Sequence, residues 1–496
     1  MQINSRTRLI AVLASALLLL GILVTTSGAQ ASPAEPKSPY TRTQAEKLLA
    51  QVKQALSPGK ANARRASGAQ PRRDLGLLIH QLQKARPALA KADQQSADIA
   101  TSRPIPDSPT CEAASQPVLL GTPIEWEVKT STHFCLHYQT TGDAATTAAW
   151  ASKTINVLEH VYYYETSHLN YRQPLKDQDG KYDVFLDDIG QNGYYGFCTT
   201  DDPSATSTAW CELDNDFAKS QFNAWPTNSL SVTAAHEFFH AIQFAYDADD
   251  STWFLEGTAV WMEDQVYPDI NDYLQYLNYS QITQSEVPID TTGDFERYGA
   301  VIFWKYLSEG YHSVDIIRRI WDAASVSRGT KNAIQATIAV LRLEHISFAQ
   351  AFARFSVWNT LPSGSYADRR LFPKPVAWGS AGLGNSKRDT GSQSISLDHL
   401  SSANVTLIPS SALPSKARLT ITASAPSSYV GQVRIQVRKT NGTTIYETLS
   451  LNSGGAGSRT LYFSGKTISS VRVTLANVTV TSDNQKFSFR AKVALP

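Results

Sequence analysis

Thr233-Ala-Ala-His-Glu-Phe-Phe-His-Ala-Ile-Gln243 decides how this chain is read, because it sets two histidines and a glutamate into an otherwise uncharged, helix-compatible run. Residues four apart share a helix face, so His236 and His240 can aim their imidazoles at one point. Glu237 is offset by one position, enough to reach a metal-bound water rather than the metal. Phe238, Phe239, Ala241 and Ile242 then bury the other faces. An H-E-x-x-H pair of this kind gives two of the three protein ligands that a catalytic zinc takes beside one open position. The bland alternative is a pair of core or capping histidines.

The third ligand is sought downstream. Sixteen residues after His240 stands Glu256, in Trp253-Phe-Leu-Glu-Gly-Thr-Ala-Val-Trp-Met-Glu-Asp264, where a second helix could bring its carboxylate to the pair. The competing reading of Glu256 is a helix-start carboxylate stabilised by the dipole. Glu263 and Asp264 compete for the ligand role and rank below Glu256, as groups that support ligands or lie at the surface.

These two segments carry a resemblance. His236-Glu-Phe-Phe-His240 with Trp253-Phe-Leu-Glu-Gly-Thr-Ala259 resembles the gluzincin metallopeptidases, in which H-E-x-x-H gives two ligands and a glutamate of a following helix the third. More narrowly, Ala234 to Asp247 with Glu256 to Asp264 is similar to a group of exported bacterial proteins described no further than as metalloproteases. That likeness extends upstream through His133-Phe-Cys-Leu-His-Tyr and Tyr182-Asp-Val-Phe-Leu-Asp-Asp-Ile-Gly to Tyr195-Gly-Phe-Cys, about half the chain. The resemblance implies His236, His240 and Glu256 as zinc ligands and Glu237 as general base and acid. The interval from His240 to Glu256 is shorter than in well-known gluzincins. In such a site zinc brings the pKa of its water towards about 7 and polarises the scissile carbonyl. Glu237 would take the water proton and later deliver it to the leaving amine. Tyr298, in Phe295-Glu-Arg-Tyr-Gly-Ala-Val-Ile-Phe-Trp, is the candidate oxyanion stabiliser, since some gluzincins place a tyrosine downstream. In a chain with 21 tyrosines a packed aromatic is the alternative.

Outward from this centre, the chain starts with Arg6 and Arg8 before an apolar run from Leu9 to Val24 and the triplet Ala29-Gln30-Ala31, the order of a secretory signal peptide. That run is shorter than the roughly 20 residues of a membrane span. The expectation is a secreted, extracellular protein with no stable membrane insertion after signal cleavage near Ala31, residues 1–31 being the signal peptide. Residues 32–110 hold two weakly amphipathic stretches, Gln44 to Val52 and Leu75 to Gln83, around a basic linker with Arg64-Arg65 and Arg72-Arg73. This reads as a helical pro-segment or lead-in, or else an ordinary hairpin or linker. Residues 111–384 are aromatic-rich: His133 to Tyr138 and Tyr182 to Leu186 read as strands, and Ala144 to His168, Tyr298 to Leu307 and Asp315 to Ala324 as helices. Residues 385–496 alternate, as in Val433-Arg-Ile-Gln-Val-Arg and Val471-Arg-Val-Thr-Leu, with Asn441-Gly442 as a hairpin signal. The expected architecture is α+β, a zincin-like catalytic domain followed by an all-β sandwich.

Charge is nearly balanced, 45 Lys plus Arg against 44 Asp plus Glu, so no global field draws nucleic acid or an anionic membrane. The four cysteines Cys111, Cys135, Cys198 and Cys211 suggest two disulfides in an exported chain, with pairing of sequence neighbours the simplest of three options. Asp177-Gln-Asp-Gly, Asp187-Asp188 and Asp247-Ala-Asp-Asp offer oxygen to a structural Ca2+, though turns account for them as well. The functional expectation is a secreted zinc endopeptidase acting on a protein or peptide. The alternatives are a zinc hydrolase of a non-protein polymer such as peptidoglycan, or a non-catalytic extracellular binding protein on the same fold.

Overall fold

A computed structural model describes residues 38–57, 74–106, 110–111, 114–116, 124–293, 295–329, 331–368 and 371–496. The signal-peptide reading of residues 1–31 lies outside them, as do both dibasic pairs. Two compact units divide the chain, Met1–Asp249 with Met262–Ile270, and Asp250–Trp261 with Asn271–Pro496. The boundary passes through one continuous helix.

The first unit is built on a mixed six-stranded sheet. In chain order its strands are β1 Ala114–Gln116, β2 Ile124–Thr130, β3 Phe134–Tyr138, β4 Tyr182–Asp187, β5 Gly196–Thr199 and β6 Trp210–Asp214, and across the sheet they run β1-β2-β3-β4-β6-β5. β3, β4 and β6 are parallel, while β5 closes the edge antiparallel to β6. β3 to β6 are buried at every position, the signature of a sheet covered on both faces. Alternation sends Phe134 and Tyr182 to one face, against Tyr162 and Phe238. It sends Phe185, with Phe197 and Trp210, into a cluster with Leu75, Ile79 and Leu82 on the other.

That second cover consists of α1 Arg42–Leu56, α2 Gly76–Ala85 and α3 Lys91–Thr101. α1 starts on a capping box between Thr41 and Gln44, and its Ala45, Leu49, Val52 and Leu56 recur at helical spacing in the core. The residues read as a lead-in therefore complete the hydrophobic core of the sheet. Arg103, just beyond α3, is buried too, with Nη1 2.7 Å from Asp183 on β4 and Nε 2.6 Å from Asp201.

The first face carries α4 Ala148–Tyr162 and α5 Pro226–Phe244. α4 is shorter than the expected Ala144 to His168: Thr147 caps it, and Tyr163–His168 continues as a π-helical turn. α5 has Pro226 at its first position and is buried from Val232 to Phe244, as a helix apolar all round must be. The continuous helix at the boundary is α6, Thr252–Val266.

In the second unit, aromatic residues of α6 anchor its first turns. Trp253 stacks on Trp304 and Phe254 on Trp321, and Trp261 Nε1 donates to Ser308. The helices α7 Val301–Gly310, α8 Asp315–Ala324, α9 Ala333–Leu343 and α10 Phe348–Trp358 follow. The expected helix Tyr298 to Leu307 is interrupted at Ala300, after the helical turn Glu296–Gly299. The C-terminal part is all β. Strands β7 Gly379–Leu383, β8 Gln393–Leu397, β9 Ser401–Pro409, β10 Arg418–Ser424, β11 Gly431–Lys439, β12 Thr444–Leu449, β13 Ala456–Tyr462, β14 Ile468–Asn477 and β15 Gln485–Ala494 form sheets of order β13-β10-β15-β8 and β12-β11-β14-β9-β7 over a core of Leu, Val, Ile, Ala and Phe. Asn441-Gly442 makes the expected hairpin between β11 and β12, with Gly442 at φ +88°.

Disulfides join Cys111 to Cys135 and Cys198 to Cys211. Among the described residues no helix is long and apolar enough to cross a membrane.

Candidate metal centre

α5 delivers both histidines as the four-residue spacing requires. Their rings lie 4.8 Å apart at 77°, and both are buried. Each ring has its Nδ1 tied to an oxygen acceptor: His236 Nδ1 donates to Glu263 Oε1 and His240 Nδ1 to Gln243 Oε1, both at 2.7 Å. A ring nitrogen that donates carries the proton, so the lone pair is on Nε2 in each imidazole. That is the tautomer a metal-ligating histidine adopts when its other nitrogen is held by an outer partner.

Glu256 and Glu263 sit seven residues apart on α6, two turns along one face. Glu263 is thereby the residue behind His236, while Glu256 is fully buried. The donor atoms of His236, His240 and Glu256 all lie within 4.8 Å of one another. Two imidazole nitrogens and one carboxylate oxygen are the donor set of a catalytic zinc site, and the fixed tautomers fit such an ion. Glu237 is buried as well, and a second group, Asp74, Glu237 and His240, also has its donor atoms within 4.8 Å. The strand β5 passes so close that a Cβ on Gly196 would stand 3.0 Å from Glu237 Cγ and 2.8 Å from Thr233 Cγ2. Glycine here is demanded by backbone approach.

The surroundings are unusually rich in buried acid. Glu165, in the π-helical turn after α4, is completely buried, and burial pushes its carboxyl well above the usual range, with His236 opposing the shift. The neighbouring Tyr267 is pushed up to about 12, first by burial. π-turns of this kind recur where a helix is re-aimed at a site.

Of the residues singled out from the sequence, His236, His240 and Glu256 are brought together and Glu237 joins them through His240. Tyr298 is buried with its ring stacked on Tyr276 at 5.0 Å. Its neighbour Arg297 reaches Glu256, Nε to Oε1 3.6 Å. Sequence reasoning passed over Arg297, Gln243, Glu165 and Asp74 and ranked Glu263 low. The i+7 spacing to Glu256 and the i+3 spacing of Gln243 to His240 were signals for two of these; Asp74, more than a hundred residues away, had none. None of the acidic turns considered for Ca2+ supplies a residue to either buried group. Asp187 accepts from the Asp188 amide, Asp247 from the Asp249 amide, and Asp177 lies 3.7 Å from Arg103.

Residues 126–358 match the model of a family described as a family of unknown function, DUF6055. The matched stretch runs from β2 to the end of α10 and includes His236, Glu237, His240, Glu256, Glu263, Arg297 and Tyr298; Asp74 precedes it. No curated protein matches the chain.

Proposed function

We propose that the protein is an extracellular zinc-dependent peptidase with a zincin-like catalytic region. The observation that carries this reading is the pair of imidazoles with both Nδ1 atoms fixed, grouped with a third donor, the buried carboxylate of Glu256, and with Glu237 between the two histidines in sequence. His236, His240 and Glu256 would hold the ion, which when bound supplies Lewis acidity to a carbonyl and lowers the pKa of water. Glu263 and Gln243 fix the rings so that the Nε2 lone pairs keep their direction. Glu237 takes the proton of the attacking water and returns it to the departing amine, one carboxylate acting first as base and then as acid. Arg297 keeps a positive charge beside Glu256, and Tyr298 is the candidate donor to the tetrahedral oxygen. The two disulfides agree with an oxidising compartment.

The test is metal content and peptide cleavage of the full chain beside Glu237→Gln. One zinc per chain in both, with cleavage falling about 10²- to 10⁴-fold in the variant, is the expected result. Undiminished cleavage in Glu237→Gln, or absence of zinc from both proteins, overturns the reading.

A further inference from the structure

Asp74 stands in front of α2, and its Oδ2 lies 3.6 Å from His240 Nε2, the nitrogen assigned to the metal. It shares with Glu237 and His240 the group whose donor atoms fall within 4.8 Å. Its carboxylate therefore occupies the neighbourhood in which Glu237 would have to meet the attacking water. The aim is fixed by backbone: the amides of Gly76 and Leu77 donate to its two oxygens at 2.6 and 3.3 Å.

The same turn covers the edge of the sheet. Asp214 N donates to Tyr195 O at 2.9 Å, which makes 195/214 a hydrogen-bonded pair. By the antiparallel alternation 197/212 is the next, leaving Gly196 and Cys198 to direct their N–H and C=O outward. The Cα separation of 4.1 Å between Cys198 and Cys211 agrees with the closer, non-hydrogen-bonded kind of pair. An exposed edge is the row along which an extended peptide pairs. Gly76 sits on it, so close that a Cβ there would run into the Cys198 carbonyl oxygen. α2 is fastened in this position by His80 and Lys84, both on Asp249, and by Gln83, which donates to Thr200 O at 2.5 Å.

We propose that the turn Asp74–Gly76 keeps the full chain latent: Asp74 competes as a further metal ligand with water and substrate carbonyl, and Gly76 blocks the strand edge beside Glu237. Catalytic zinc keeps one position open, whereas a structural zinc is closed by four protein ligands, so a single carboxylate decides between the two states. The proposal rests on the metallopeptidase reading above.

The test compares the full chain with Asp74→Ala and Asp74→Asn, the latter retaining an acceptor for the Gly76 amide, with folding followed by circular dichroism. Three quantities are read: the visible spectrum of the Co2+-loaded protein, zinc retention against a chelator, and cleavage of a quenched peptide. Both variants are expected to alter the cobalt spectrum and to release zinc at least about tenfold more readily, no less than loss of an outer partner. Cleavage is expected to rise about tenfold or more, as a competing state is removed. An unchanged spectrum and unchanged retention overturn the proposal while leaving the metal centre standing. An altered spectrum without a gain in cleavage overturns latency and makes Asp74 a fixed structural ligand. No cobalt bands in the parent brings down the metal centre itself, and the proposal with it.

Discussion

Between Gly379 and Ala494 the buried side chains are Leu, Val, Ile, Ala and Phe from alternating strand positions, and the buried polar ones are uncharged, such as Asn404, Thr474 and Asn477. Around α5 and α6 the buried set includes Glu165, His236, Glu237, His240, Glu256, Glu263 and Asp264. In the sandwich, Thr474 donates to Asn404 and Asn477 to the Leu397 carbonyl. The helices instead bury ionisable groups at a cost of several kcal/mol unless these are paired, neutralised or bound to a cation. Stability alone explains the first region. In the second, stability is sacrificed for a constellation.

The contrast can be broken by mutation, and the largest effect is expected at Arg103→Ala. It takes the guanidinium from buried Asp183 on β4, leaving that carboxylate with the His137 ring at 3.3 Å, and should lower unfolding stability by about 3–5 kcal/mol in urea titration. In the sandwich, Leu475→Ala should cost about 2–5 kcal/mol by the same measurement, with zinc content per folded molecule unchanged. Glu263→Gln should do the converse: chelator competition should show zinc affinity down about 10- to 100-fold, with little change in urea midpoint. Gly196→Ala forces a methyl against Thr233, Leu213 and Glu237. It should cost about 1–3 kcal/mol through overpacking and lower cleavage by displacing Glu237, with zinc still bound.

The smallest expected effect is a pH slope. Burial raises the folded-state pKa of Glu165 above its ordinary value of 4.5. Its contribution to stability is therefore fully present below that value and is lost as pH rises from there through the folded pKa. Glu165→Gln should flatten this decline in a series of melting curves across pH. A parent and variant with parallel profiles would remove Glu165 from the account.

Local periodicity makes much of this legible in the sequence. The four-residue interval of His236 and His240, the apolar flanks of α5, the alternation of β11 and β14 and the Asn441-Gly442 turn all express short-range rules, and the structure follows them. Helix ends slipped where capping chemistry decided them, as with Thr147 at the start of α4. What sequence could not give is contact across the chain. α1 and α2 look weakly amphipathic in isolation, yet Leu49, Val52 and Ile79 belong to one core with Phe185 and Trp210. Arg103 and Asp74 resemble ordinary linker residues until the fold sets them against Asp183 and His240.

The order of the elements along the chain has a consequence for biosynthesis. A ribosome releases α1 to α3 first, then the strands, then α5 with its imidazoles, and Glu256 after that. Synthesis runs from the N-terminus, so Asp74 and Gly76 have already been made when His236 and His240 emerge. A newly made molecule thus never passes through a stage in which its histidines and Glu237 are assembled but the turn that covers them has yet to be synthesised.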